Sequence, residues 1–470
     1  MRYGYARMAR SGLGAAVTAA VALVASVAPL ASAQASSPRQ GTVTVGLGSK
    51  SIGTLPARYL GLSYESGIAV NSDDFDTRGN LAKLLEDLGP GVLRFGGVTV
   101  DEGYAGATKA ALAGLTRLTD KTGWNVIYTV DLGKFSAAGV TRDAKAVTAA
   151  LGSHLNSIAC GNEPDGYTKH GIRAKTYTEA KYLTQAAACM KAVHAGAKKA
   201  KIAGPDTYHL DWLPPYAAAE KGKVSLLTEH YYPLTNCSKH NRTADVLLSR
   251  QTAATEATTI STAAVSAKAA GAPLRITETN SASCSGIEGL SNTYAAALWA
   301  VDYLLIGAEQ GASGMNFHGG LSKNCDGYTP LCEVKRREYL AQPVFYGMLF
   351  THLLGTGKLL PVKISSSLDL AAHAVRSSSG TVRVVIENLS GSAAALSLDA
   401  GSVSGTASTQ SLTGPSLSAT SGVKIQGASV QADGAFTPGK PSRLSCTAGQ
   451  CPLTLAPDTA IIVTLPGKPK

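Results

Sequence analysis

Short apolar runs recur along the first two thirds of the chain, and each stops on polar residues. They cover residues 59–65, 91–97, 125–133, 155–165, 201–207, 224–233, 273–280 and 312–320. Between them lie Ala/Leu/Lys-rich stretches of helical character, among them 81–88, 177–195 and 294–309. Eight buried strands alternating with helices predict a parallel α/β architecture. The count of eight predicts closure into a (β/α)8 TIM barrel over residues 55–356. After about Leu360 helical periodicity fades, and Ser, Gly, Thr and Ala dominate. Residues 381–387, 394–398 and 453–465 alternate or carry β-branched runs, so 357–470 is expected to form an antiparallel β-sandwich. The alternation of Val43, Val45 and Leu47 in 41–48 predicts that the segment 34–54 adds a strand to that sandwich.

The first 33 residues stand apart. Arg2, Arg7 and Arg10 precede an apolar stretch from about Leu13 to Leu30, and Ala31-Ser32-Ala33 offers a small-residue cleavage site. This is the pattern of a secretory signal peptide. The stretch is long enough to suggest a membrane anchor, but Pro29 and the cleavage site favour removal, and no later segment is apolar enough to span a bilayer. A secreted, soluble protein is expected, with no membrane association after cleavage. Removing the leader takes away three of the eleven net positive charges and leaves +8. No dense Lys/Arg run with interleaved aromatics occurs, so nucleic acid is not an expected partner. The chain is expected to act as a monomer.

Eight cysteines in an exported chain suggest disulfides. Cys446 and Cys451, and Cys325 and Cys332, could close small loops. Cys160 with Cys189 and Cys237 with Cys284 are possible longer links. Spacing leaves the connectivity open. No Cys-x-x-Cys occurs, and His194, His209, His230 and His240 lack ligand spacing, so no metal is expected.

The chemistry concentrates where barrels keep it, at the carboxyl ends of the strands. Those ends carry Ser63 and Glu65, Arg94 with Gly96 and Gly97, Asp131, Asn162 and Glu163, Asp206, Glu229 to Tyr232, Glu278 with Asn280, and His318. Glu163 ends strand four and Glu278 ends strand seven, which places them across the barrel mouth from one another. Retaining glycoside hydrolysis needs such a pair: one carboxyl protonates the leaving oxygen, and the other attacks the anomeric carbon. Asn162, Ser63, Glu65, Asn280 and His318 are candidate ligands for sugar hydroxyls. Arg94 is expected to pair with a barrel carboxylate, and Asp165 to cap the helix after strand four.

Asn162-Glu163-Pro164 on strand four and Glu278 on strand seven resemble the large clan of retaining glycosidases built on (β/α)8 barrels. Leu93-Arg94-Phe95-Gly96-Gly97, Glu229-His230-Tyr231-Tyr232-Pro233 and Gly327-Tyr328 narrow the resemblance to the β-glucuronidase/heparanase family, glycoside hydrolase family 79. It spans nearly the whole mature chain, including the trailing β-domain. It implies Glu163 as acid/base and Glu278 as nucleophile of a double displacement through a covalent glycosyl-enzyme, with β-D-glucuronides as substrates. It also implies that Tyr231 bonds near the nucleophile or the sugar, and that Gly327 and Tyr328 bind the uronic acid carboxylate. Ser283 stands where some glucuronidases carry an aromatic donor, so carboxylate recognition either rests on Tyr328 alone or differs from theirs. No cofactor is implied. An endo-acting enzyme on a uronic-acid polymer and a non-catalytic carbohydrate-binding protein are the alternatives.

Overall fold

The computed structural model describes residues 39–466 apart from 70–73, 104–105, 239–241, 322–324 and 326. The expected leader, residues 1–33, lies outside the described residues. Among those described, no helix is long and apolar enough to cross a membrane.

Each of the eight apolar runs forms a parallel strand. They are β1 (Leu60–Glu65), β2 (Val92–Gly96), β3 (Asn125–Val130), β4 (Leu155–Cys160), β5 (Ile202–Thr207), β6 (Leu226–Tyr231), β7 (Leu274–Thr279) and β8 (Ala312–His318). They close into a barrel, with β8 paired to β1 in the register Met315↔Leu60 and His318↔Ser63. Val92, Ile127, Ala159, Ala203 and Leu226, from β2 to β6, form one apolar cluster. Alternation along a strand returns a side chain to the same face every second residue. The face of Val92 therefore also carries Arg94, and the face of Leu226 carries His230.

The helices between strands follow from local signals. Helix Lys109–Thr122 starts where the Thr108 hydroxyl accepts the Ala111 amide, and stops at Gly123 with φ of 71°. Helix Arg250–Ala270 is capped in the same way by Ser249 and Gly271. Helix Tyr294–Glu309 is apolar apart from Asp302 and Glu309 and is buried along almost its whole length. It packs against helix Pro343–Leu353 and against strands of the C-terminal region.

That region holds two sheets. The larger orders Gly53–Leu55, Gly357–Leu360, Leu370–Arg376, Val382–Asn388, Thr459–Thr464, Gly405–Thr413 and Lys424–Ile425 side by side, with Ser442–Cys446 also on Gly405–Thr413. The smaller orders Val362–Ser366, Arg39–Val45, Ala394–Asp399 and Gln450–Leu455. Val43, Val384, Ile386, Leu396, Leu398 and Val463 form the core between them. Two expectations need correction. Arg39–Val45 pairs antiparallel with Val362–Ser366 but parallel with Ala394–Asp399, so the sandwich is not wholly antiparallel. The run 453–465 is two strands, Gln450–Leu455 and Thr459–Thr464, split where Pro457 and Asp458 (φ of 50°) turn the chain.

A polar tether joins sandwich to barrel. His373, on Leu370–Arg376, is bonded to Glu309 at 2.7 Å and to Asp302 at 2.9 Å, both on helix Tyr294–Glu309. Arg250 completes the pairing of Asp302 at 2.7 Å. All eight cysteines pair, as Cys160–Cys189, Cys237–Cys284, Cys325–Cys332 and Cys446–Cys451.

Candidate active site

Arg94 organises the carboxyl ends of the barrel strands. It is fully buried. Its Nη1 donates to Glu278 Oε2 at 2.6 Å and to Ser63 Oγ at 3.1 Å. Its Nη2 donates to Asn162 Oδ1 at 2.7 Å and Asp206 Oδ2 at 3.1 Å. The two glycines after it make this possible. A Cβ at Gly96 would lie 2.2 Å from the Arg94 guanidinium, and one at Gly97 would lie 2.2 Å from the Glu65 carboxyl. Gly97 also has φ of 73°, and its amide donates to Asn162 at 3.0 Å.

Glu278 is almost wholly enclosed and is held at both oxygens, by Arg94 at Oε2 and by the Tyr232 hydroxyl at Oε1, 2.8 Å away. His318 Nδ1 lies 3.6 Å from Oε2. Burial works against the charge, but His318, His230 and Arg94, with the Tyr232 hydrogen bond, hold the carboxyl down at about 2. Glu163 sits in a left-handed turn (φ of 48°) just past β4, and its amide donates to the Asp206 carbonyl at 2.8 Å. Its side chain is more open than that of Glu278. Its Oε1 lies 3.0 Å from His230 Nδ1. One oxygen of Glu163, one nitrogen of His230 and one oxygen of Glu278 all lie within 4.8 Å of one another.

His230 is the residue that spacing alone misses. Burial disfavours its charge, yet Glu278, Asp206 and Glu163 around it push the imidazole up to about 10. Its Nδ1 faces Glu163 at 3.0 Å and its Nε2 lies 3.7 Å from Asp206, so both ring nitrogens face carboxylates. Asp206 is held well below the usual carboxylate range: burial opposes this, but Arg94, His230 and Thr277 prevail. The period of two along β6 was the available signal. It puts His230 and Tyr232 on the inner face and Glu229 and Tyr231 on the outer one. Glu229 is equally buried but has no hydrogen-bond partner among the described residues, and burial pushes it up to about 8.

The remaining expected residues divide. Ser63 bridges Arg94 and His318, 3.0 Å from the latter. Glu65 accepts from the Thr99 amide and hydroxyl at 3.0 and 2.7 Å and lies 3.7 Å from His318. Asn162 spends its oxygen on Arg94 and Gly97, while its buried Nδ2 has no partner among the described residues. Tyr328 lies over the site, its ring 6.1 Å from Tyr232 and 5.8 Å from His318. Gly327 (φ of 63°) is needed because a Cβ there would lie 2.3 Å from the Ser285 carbonyl. Three expectations fail. Tyr231 points away from the glutamates to pack against Tyr303, and Tyr232 takes the place beside Glu278. Asn280 spends both amide hydrogens on the carbonyls of His318 and Tyr328, at 2.8 and 2.7 Å, so it latches the loop rather than offering donors to a sugar. Asp165 does not cap the following helix; it accepts the amides of Tyr208 and His209.

These charges fix a pH dependence. His230 has a folded value above its ordinary one, so the stability it contributes is complete below pH ~6.5 and is lost as pH rises toward about 10. Glu278 is the reverse: its contribution is complete above pH ~4.3 and is lost as pH falls through about 2. Both are fully present between roughly pH 4.3 and 6.5. In His230→Gln, the decline of Tm between pH 7 and pH 10 is expected to be shallower than in the wild type. An equally steep decline would assign that limb to other groups.

No family model matches the sequence. Among curated proteins, the chain is 28% identical over 295 residues to a β-glucuronidase of Aspergillus niger, covering 57% of this chain and 54% of that protein. It is 32% identical over 136 residues to a β-glucuronidase of Neurospora crassa, covering 26% and 24%. The chain thus spans about half the length of the first relative and a quarter of the second. Among solved structures, a 4-O-α-L-rhamnosyl-β-D-glucuronidase from Fusarium oxysporum superposes with a TM-score of 0.74 at 20% identity, over 91% of this chain and all of that one. An arabinofuranosidase from Xanthomonas axonopodis pv. citri gives 0.68 at 13% identity, over 91% of this chain and all of that one. At these identities the structural likeness establishes the shared fold.

Proposed function

We propose that this β-glucuronidase/heparanase-like chain is a retaining β-glucuronidase, with Glu163 as acid/base and Glu278 as nucleophile. The observation that carries this is the approach of the two carboxyl groups within 4.8 Å, around His230. Retaining enzymes keep their carboxyls ~5–5.5 Å apart, whereas inverting ones need ~6.5–9.5 Å to admit a water. In the first step Glu163 gives its proton to the glycosidic oxygen while ionised Glu278 attacks the anomeric carbon, forming a glycosyl ester. The imidazolium of His230 faces the carboxylate that Glu163 then becomes. In the second step Glu163 takes a proton from water, whose oxygen displaces Glu278. The unpartnered Asn162 Nδ2 is a ready donor to a sugar hydroxyl. Glu65 and His318, the latter propped by buried Ser63, form the opposite wall of the sugar site, and Tyr328, on the loop that Gly327 allows, faces the uronate carboxylate. Four disulfides favour an exported protein.

The test is hydrolysis of aryl β-D-glucuronide beside aryl β-D-glucoside and β-D-xyloside, with proton NMR of the first product. A glucuronide preference with the β-anomer released first is expected. Activity on neutral glycosides alone would remove the uronate pocket, and the α-anomer first would remove the ester. On the same substrate Tyr232→Phe deletes a hydrogen bond to a charged group, worth about 1.5–3 kcal/mol. That corresponds to a loss in kcat of roughly 10- to 100-fold. Tyr231→Phe is expected to leave kcat near wild type; equal losses in both would contradict the assignment of Tyr232.

A further inference from the structure

Glu163 is a non-glycine residue in the left-handed region, at φ of 48°. A side chain there crowds its own backbone, so the turn keeps this shape only where its surroundings fix it. Three consecutive amides do so. The Gly161 N–H donates to the Val130 carbonyl on β3 at 2.9 Å, and the Glu163 N–H donates to the Asp206 carbonyl on β5 at 2.8 Å. Between them the Asn162 N–H donates to Asp101 Oδ2 at 2.7 Å. The outer two acceptors are main chain, and the middle one is a side chain. Asp101 comes from the far end of β2, where the chain leaves Gly97 through a 3-10 turn, Val98–Glu102. Its Oδ1 accepts the amides of Leu132 at 3.0 Å and Gly133 at 2.8 Å, just past β3. A Cβ at Gly133 would lie 2.2 Å from the Asp101 carbonyl oxygen, so only glycine allows this approach. One carboxyl group thus ties together the ends of β2, β3 and β4.

We propose that Asp101 is a positioning residue for departure of the leaving group, acting through the Asn162–Glu163 turn and touching no part of the substrate. This rests on the proposed role of Glu163 as acid/base. Asp101 is 1% exposed, so it has no surface to offer a sugar. A proton passes to the glycosidic oxygen only from a carboxyl within hydrogen-bond reach, and a small rotation of the turn takes Glu163 out of reach. The Asn162 side chain on the same turn is held separately, through its oxygen, by Arg94 and Gly97. Loss of the Asp101 acceptor therefore falls on proton transfer more than on the sugar contacts. In Asp101→Asn one oxygen becomes an amide nitrogen. Keeping the remaining oxygen on Leu132 and Gly133 preserves two bonds, and turning it to Asn162 preserves one. The new nitrogen therefore faces the Asn162 N–H, a donor against a donor.

The test compares kcat/KM on 2,4-dinitrophenyl β-D-glucuronide, whose leaving group departs without a proton, and on methyl β-D-glucuronide, whose leaving group needs one. The two share one sugar, and kcat/KM reports ester formation alone. Asp101→Asn is expected to lose roughly tenfold or more on the methyl glycoside and no more than about threefold on the dinitrophenyl one. Glu163→Ala sets the full dependence on leaving group. Equal losses on both substrates would make Asp101 a structural residue only, and no loss on either would make its bond to Asn162 dispensable; each overturns the proposal. Should Asp101→Asn not fold, Asp101→Glu, which keeps the charge and both acceptors on a longer arm, carries the same comparison. If wild type cleaves neither glucuronide, or Glu163→Ala shows no dependence on leaving group, the functional reading fails instead. Crystal structures of wild type and Asp101→Asn then still decide the positioning: a Glu163 turn displaced from Asp206 and His230 supports it, and an unmoved turn overturns it.

Discussion

Replacing Glu278, the proposed nucleophile, by alanine is expected to lower kcat by roughly 10⁴-fold or more, because a nucleophile removed from a covalent mechanism leaves no alternative path of comparable rate. The loss should be partly reversed by added azide, which fits the space vacated by the carboxyl and attacks the same face of the sugar, giving the α-glycosyl azide. Glu163→Ala should behave differently. General acid assistance is worth about 10²–10⁴-fold, and most of it is needed only when the leaving group is poor. An activated aryl glucuronide should therefore lose little in ester formation, and the ester should accumulate. Azide then attacks the ester and gives the β-glycosyl azide. The same anomer from both variants would invalidate the division of roles. The geometry behind the prediction is asymmetric: Glu278 is gripped at both oxygens, at 2.6 and 2.8 Å, while Glu163 is bonded through one oxygen to His230 at 3.0 Å.

Arg94→Met is expected to have the largest effect on stability. The guanidinium is fully buried and bridges Ser63, Asn162, Asp206 and Glu278, residues from four other strand ends. Its removal strands two buried carboxylates, Asp206 and Glu278, and breaking a buried pair in this way costs about 3–5 kcal/mol. Activity falls with it, since Glu278 loses the cation that favours its ionised form. Arg94→Lys separates the two effects. An ammonium restores a positive charge but not a planar fork that spans Asn162, Asp206 and Glu278 at once, so stability should recover in part while kcat stays low. Urea unfolding with kcat on one aryl substrate measures both. Full recovery of kcat in Arg94→Lys would show that charge alone matters at this position.

The disulfides illustrate the border between local and long-range information. Cys446–Cys451 and Cys325–Cys332 close short loops, at separations of 5 and 7, and chain length alone brings those sulfurs near each other. Cys237–Cys284 spans 47 positions and forms because β6 and β7 pair as parallel neighbours, so the loops after them emerge side by side at the barrel rim. Closure of the barrel brings Ser63 on β1 next to His318 on β8, across 255 positions.

By itself the sequence determined the eight strands, the helices between them and the two glutamates. Those features depend on apolar runs, capping residues and strand ends, all of which act within a few residues. It also determined that a β-rich region follows the barrel. Tertiary structure decided which side chains meet. It set the inward face of β6, so that His230 and Tyr232 reach the glutamates while Tyr231 and Glu229 turn to the helices. It consumed the amide of Asn280 in holding a loop. It slotted Arg39–Val45 parallel to Ala394–Asp399, a pairing between segments more than 350 positions apart. The reason is common to all three: alternation gives each strand two faces, and only closure of the barrel and docking of the sheets choose which face is inside and which partner lies across it.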